Sequence, residues 1–202
     1  MISNKKIKLS ALIVAKNEEK NLKECLSCLS KIDEIILILD NTSDNSKKIA
    51  NQFNCIIYEG DWESEGERRN LGIKKCSYNW ILEIDADERA SEMLIKEAKN
   101  KISLLESNSE GYYLIPFDNY IGKKRVRYVW GASWGVSAKH CLFHKNSKIW
   151  GNQIIHPEVS LGKKIGLLES RIKHFVDENI SDMIIRLDRY TTAKAKEIRN
   201  SN

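Results

Sequence analysis

Continuous apolar runs recur along the first part of the chain, at residues 8–15, at 34–40 (EIILILD), at 55–58 and at 80–84. Short uninterrupted runs of this kind are the pattern of strands buried on both faces, as in a parallel sheet. Between them the apolar spacing lengthens to three or four residues: Leu22, Cys25, Leu26 and Leu29, then Ile49, Ala50 and Phe53, then Leu94, Ala98, Ile102 and Leu105. That period predicts helices, with a more polar one over 64–76 that carries Glu67, Arg68, Arg69 and Asn70. Asn17 is expected to cap the first helix, with Glu18 and Glu19 in its opening turn, and Ser91 to cap the last. Strand and helix in alternation predict an α/β class, Rossmann-like, with helices on both faces of a mostly parallel sheet.

Beyond about residue 111 the texture changes. GYYLIPFDNYIGKK is aromatic, β-branched and rich in turn residues, HCLFHK and GNQIIHPEVSL read as short strands, and helical spacing returns only from Ile180. The expected organisation is a single domain over 1–202, an α/β half (1–110) followed by a mixed α+β half (111–202) with a terminal helix. No repeat or low-complexity tract interrupts it.

In open sheets of this kind ligands bind outside the carboxyl ends of the strands. Asn17, Asp40 and the group Asp85, Ala86, Asp87 and Glu88 all fall at such ends. Carboxylates so close together repel one another, and nothing beside them in sequence supplies enough positive charge. Either they face water, or a cation sits among them. Asp85 and Asp87, just past a strand end, can turn to a common Mg²⁺ or Mn²⁺, hard ions commonly completed by substrate phosphates. Glu88 is expected to belong to the following helix and to matter less. The glycine-rich fingerprints GxGxxG and GxxxxGK[ST] are missing, which argues against a dinucleotide dehydrogenase and a P-loop NTPase.

The formal charge is +5, with the basic excess in the second half. That suits phosphate-bearing ligands or an anionic surface, and it is too small, without a recognition module, to predict nucleic-acid binding. Five cysteines, an odd number without a secretory leader, fit a reduced cytoplasmic setting. Cys25 and Cys28 form a CxxC, but they fall on the apolar stripe of a helix and no second pair completes a zinc site, so packing is expected. No apolar run reaches the roughly 20 residues that span a bilayer.

LSALIVAKNEEKNLKECLSCLS, DEIILILDNTSDNS, the Glu67–Asn70 patch and WILEIDADER resemble, in order and spacing, the family 2 glycosyltransferases of the GT-A fold. WG at 134–135, CLFHK, IHPEV at 155–159 and HFVDENISDMIIRLDRYTTAKA extend the resemblance to bacterial lipopolysaccharide core glycosyltransferases of the beta-1,4-glucosyltransferase kind. The resemblance implies a nucleotide-diphosphate sugar donor such as UDP-glucose, a saccharide or lipid-linked acceptor, a divalent metal and inversion at the sugar. It places Ala15 and Glu18 in the nucleotide pocket, Asp40 at the base, Arg69 and Asn70 beside it, Asp85 on the donor or the metal, and Asp87 on the metal. His156 and Glu158 match a His and Glu motif that supplies the acceptor base, although Pro157 separates them here, which leaves their division of labour open. A lipid-linked acceptor also implies peripheral contact with the inner face of the cytoplasmic membrane, for which the basic terminal helix is the candidate surface. Two rivals fit less well. A nucleotidyltransferase lacks its glycine-rich basic loop after the first strand, and a phospho-acceptor receiver, a non-catalytic signalling module, would place its carboxylates elsewhere and end near residue 120.

Overall fold

The structure, a computed structural model, describes residues 7–126, 136–153 and 157–200. The first half follows the predicted alternation: β1 (Leu9–Ala15), α1 (Leu22–Ser27), β2 (Glu34–Asp40), α2 (Ser46–Ala50), β3 (Ile56–Gly60), α3 (Glu65–Lys75) and β4 (Trp80–Glu83). β3, β2, β1 and β4 lie side by side in that order, all parallel, with Ala11 opposite Ile35 on one side and Leu82 on the other. Side chains alternate between two cores. Leu9, Ala11, Ile13 and Leu82 pack under α1 and α4 (Glu92–Ser103), while Leu12, Ile38 and Ile81 pack with Ile73 of α3 on the other face.

Ser64 and Ser91 cap α3 and α4, their hydroxyls accepting from the Glu67 and Leu94 amides. Asn17 does not cap α1. It holds a left-handed φ of 55°, tolerable for asparagine, and its Oδ1 accepts from the Ser43 amide, so that it ties two strand ends together while α1 starts later, at Leu22. Cys25 is buried in α1 and its thiol is pushed up by burial, the behaviour of a packing residue.

The second half supplies β5 (Glu88–Arg89), β6 (Tyr112–Ile121), β7 (Lys124–Arg125), β8 (Ala138–His144), β9 (Lys148–Trp150), β10 (Val159–Leu161), β11 (Lys164–Leu167), β12 (Ile172–Asp177) and the terminal helix α5 (Ile180–Asn200). β8 joins β4 antiparallel, β6 joins β8 antiparallel, β12 joins β6 in parallel, and β5 closes the path against β12. The sheet is therefore mixed, mostly parallel, and continuous across residue 110.

That order has a geometric consequence. From β4 to β5 the sheet takes four strand steps, about 19 Å at ordinary spacing. The chain itself covers the distance with residues 84–87 alone, and not fully extended, because the Glu88 amide folds back to the Asp85 carbonyl at 2.9 Å. The sheet has to curl, and the acidic segment is strung across the mouth of the curl. β8 and β12 thus reach it, Lys139 bonding to Asp85 and the Phe175 amide donating to the Asp87 carbonyl.

Candidate active site

Asp85 is answered by two cations. Arg69 Nη2 donates to Oδ1 and Lys139 Nζ to Oδ2, each at 3.0 Å. Burial alone would raise the Asp85 carboxyl; these two neighbours hold it well below the usual carboxylate range. Arg69 is set by its position on α3: Nε donates to Glu65 one turn back at 2.7 Å and Nη1 to Glu83 Oε1 at 2.8 Å. Glu83 also takes Lys148, and the pair is almost fully buried. The positive charge that the neighbouring residues lacked is thus brought in from α3, β8 and β9.

Glu88 corrects an expectation. It is not a helix-side residue; it lies in β5, 1% exposed, with Lys139 Nζ at 2.5 Å from Oε1 and the Asp85 amide donating to Oε2 at 3.0 Å. Burial first, and the Asp85 charge next, push its carboxyl up to about 8 against the pull of Lys139.

Asp87 has no cation of its own among the described residues. Its Oδ1 is buried without a hydrogen-bond partner, and its Oδ2 lies 3.4 Å from Nε2 of His174. The histidine is oriented from behind: Asn119 Nδ2 donates to the Val136 carbonyl at 2.9 Å, which turns Asn119 Oδ1 toward His174 Nδ1, also at 2.9 Å. Nδ1 therefore carries the proton, and in the neutral ring Nε2 presents a lone pair to the Asp87 carboxylate. In that form the two acceptors can share a divalent ion; with Nε2 also protonated, the imidazolium itself pairs with Asp87. Asp87, Glu88 and His174 each offer a ligand atom within 4.8 Å of the others, a set that fits a divalent ion, with the imidazole favouring Mn²⁺ over Mg²⁺.

Two cavities flank this centre and share Arg69 and Asp85. The larger, about 820 Å³, is lined by Lys16, Glu18, Arg68 and Asp87 and by Asp182 and Ile185 of α5. The smaller, about 290 Å³, lies on the Lys139, Trp150 and Pro157 side. Glu18 faces the large cavity, its carboxyl raised by burial and by the nearby Asp87 and Asp85 charges although Asn21 donates to it. Asp40 is buried just behind, paired with Arg68 and Lys16 and accepting from the Trp62 amide at 3.2 Å. Ala15 packs in the core at the end of β1. Asn70 bonds the Trp150 backbone in both directions, at 2.8 and 3.0 Å, and so fastens α3 to β9. Glu158 is exposed, next to Pro157, with its amide donating to Gln153. His156, Trp130 and Trp134 lie outside the described residues.

The family model for glycosyl transferase family 2 matches residues 10–147. The chain belongs to that family. A Rickettsia felis glycosyltransferase is 24% identical over 202 residues, covering 95% of this chain and 70% of the relative. A lipopolysaccharide core biosynthesis glycosyltransferase, LpsC, of Rhizobium meliloti is 21% identical over 95% of this chain and 72% of its own length. Among solved structures, S. aureus TarS superposes with a TM-score of 0.60 at 16% identity over 84% of this chain, and a 1–349 fragment of TarS in complex with UDP-GlcNAc at 0.51 and 22% over 58%. These likenesses show the GT-A fold; this chain spans only 37% and 36% of those two chains. The glycosyltransferase thus has its acidic segment and both cation-bearing strands within or beside the matched region, while His174 and the α5 wall of the large cavity lie beyond it.

Proposed function

We propose that this glycosyltransferase moves a hexose from a nucleotide-diphosphate sugar, UDP-glucose or a close relative, to a saccharide acceptor with inversion, and that it needs Mn²⁺ or Mg²⁺. The observation that carries the reading is the cluster of Asp87, Glu88 and His174, each with a ligand atom within 4.8 Å of the others, with Asp87 in the wall of an 820 Å³ cavity, a volume that suits a nucleotide-sugar. In this reading Asp87 and His174 hold the ion, whose positive charge would stabilise the departing diphosphate. Asp85, held by Arg69 and Lys139, is kept ionised to accept from donor hydroxyls. Glu18, Asp40 with Arg68, and the end of β1 at Ala15 frame the nucleoside, with Asn70 keeping Arg69 in register. Residues 1–110 supply most of the donor side, which His174 and α5 close from the second half, and 111–202 form the acceptor side.

The acceptor oxygen attacks the anomeric carbon as the bond to the diphosphate breaks, and its proton passes to a carboxylate or imidazole on the opposite side. Glu158, beside the smaller cavity, is the base in this reading, with His156 its neighbour in sequence. LpsC supports lipopolysaccharide core as the acceptor class, and with it a peripheral place at the inner face of the membrane. No helix of the described residues is long and apolar enough to cross a membrane. A thermal-shift panel of UDP-, GDP-, ADP- and CMP-sugars with and without Mn²⁺ tests the donor assignment: one UDP-sugar should stabilise the protein only with the metal, and no response to any donor would refute it.

A further inference from the structure

Lys139 sits where a metal ion's charge would otherwise act. Its Nζ bridges Asp85 Oδ2 at 3.0 Å and Glu88 Oε1 at 2.5 Å, from a position on β8 opposite Ile115 of β6. Glu88 in turn looks two ways, toward Lys139 and toward the Asp87–His174 pair, with a carboxylate atom within 4.8 Å of both of their ligand atoms. Asp85 keeps a second cation, Arg69, on its other oxygen. Among the described residues Glu88 has Lys139 alone.

We propose that Lys139 is a positioning residue that masks Glu88, so that the metal is held by Asp87 and His174 and not by a third protein carboxylate. This rests on the metal-dependent reading above. A two-ligand site is weak by itself, since divalent-ion affinity rises with the number and charge of its ligands. Retention of the ion then depends on the donor diphosphate, which completes the coordination. Lys139 thereby couples metal binding to donor binding. Without its ammonium the Glu88 side chain is free to turn to the ion, which displaces its proton and takes it as a third ligand while Arg69 keeps Asp85 in place, and the site would hold metal without donor.

The test is Mn²⁺ binding measured by electron paramagnetic resonance of the free ion, on the full chain, with and without UDP. Lys139→Met should bind Mn²⁺ about tenfold more tightly in the absence of UDP, and UDP should improve that affinity less than it does in the wild type. Lys139→Arg should keep the wild-type affinity. The double variant Glu88→Gln/Lys139→Met removes both partners, leaves no buried unpaired charge, and should return to within about threefold of wild type. A double variant that loses Mn²⁺ by tenfold or more would show Glu88 to be a ligand already and overturn the proposal, whether or not the single variant folds. Mn²⁺ binding that Asp87→Asn abolishes and Lys139→Met fails to tighten would overturn it alone. No Mn²⁺ binding by the wild type, with or without UDP, would overturn the metal reading and this proposal together.

Discussion

At the scale of single residues, the acidic cluster divides differently from the way its sequence reads. Asp87 could be picked out because it follows a buried strand by a few positions and has no partner nearby. Glu88 could not be placed, because its partner Lys139 is 51 residues away and only the closure of β8 over the segment joins them. His174 was within a recognised motif, yet a lone histidine gives no sign of its role until Asn119 fixes which nitrogen faces Asp87. Charge pairing also carries stability here. Lys148→Met would leave Glu83 buried with Arg69 as its remaining partner and should cost about 3 kcal/mol in denaturant unfolding. Burial would raise the Glu83 carboxyl, but Lys148 and then Arg69 hold it below its ordinary 4.5. A depressed folded-state value gives stability that is present above the unfolded value and is lost as pH falls. Wild-type stability should accordingly decline below about pH 4.5, and less steeply in Glu83→Gln.

At the scale of elements, β1 to β4 were legible as continuous apolar runs and α1 to α4 from their helical spacing, with Ser91 capping α4 as expected; β5, two residues long, was not, and α1 starts at Leu22 without the expected Asn17 cap. The strand ends shifted by only a residue or two. Less was legible after residue 111, where short strands gain their order from partners far away: nothing in IKHFVD announces that it will lie between β6 and β5. The packing of α3 is the element on which the site most depends, since it presents Arg69 to Glu83 and Asp85. Gly66 lies at its start with the Gly151 carbonyl oxygen only 1.8 Å from where a Cβ would stand. Gly66→Ala should push α3 from β9 and cost about 2 kcal/mol, with donor affinity falling alongside. On β6, Asn119→Leu would remove the hydrogen bond that orients His174. Mn²⁺ affinity should drop about tenfold or more while the melting temperature changes little, and an unchanged affinity would show that the ring needs no such support.

At the scale of the whole molecule, the site is a product of sheet closure. β4 and β5 flank a segment too short to cross a flat sheet, so the sheet curls until β8 delivers Lys139 to Asp85 and Glu88 and β12 delivers His174 to Asp87. Parallel strands in the first half put Glu18, Asp40 and Asp85 at one rim, as the order of apolar runs implied; the second half supplies the opposite wall. The family's reaction needs both, a pocket for the donor and a charged centre at the bond that breaks. Calorimetric titration of UDP into the wild type and Asp87→Asn, each with and without Mn²⁺, tests this directly. Metal-dependent reading predicts binding that Mn²⁺ strengthens at least tenfold in the wild type and does not strengthen in Asp87→Asn. Equal UDP affinity with and without Mn²⁺ in the wild type, or an undiminished Mn²⁺ effect in Asp87→Asn, would contradict it.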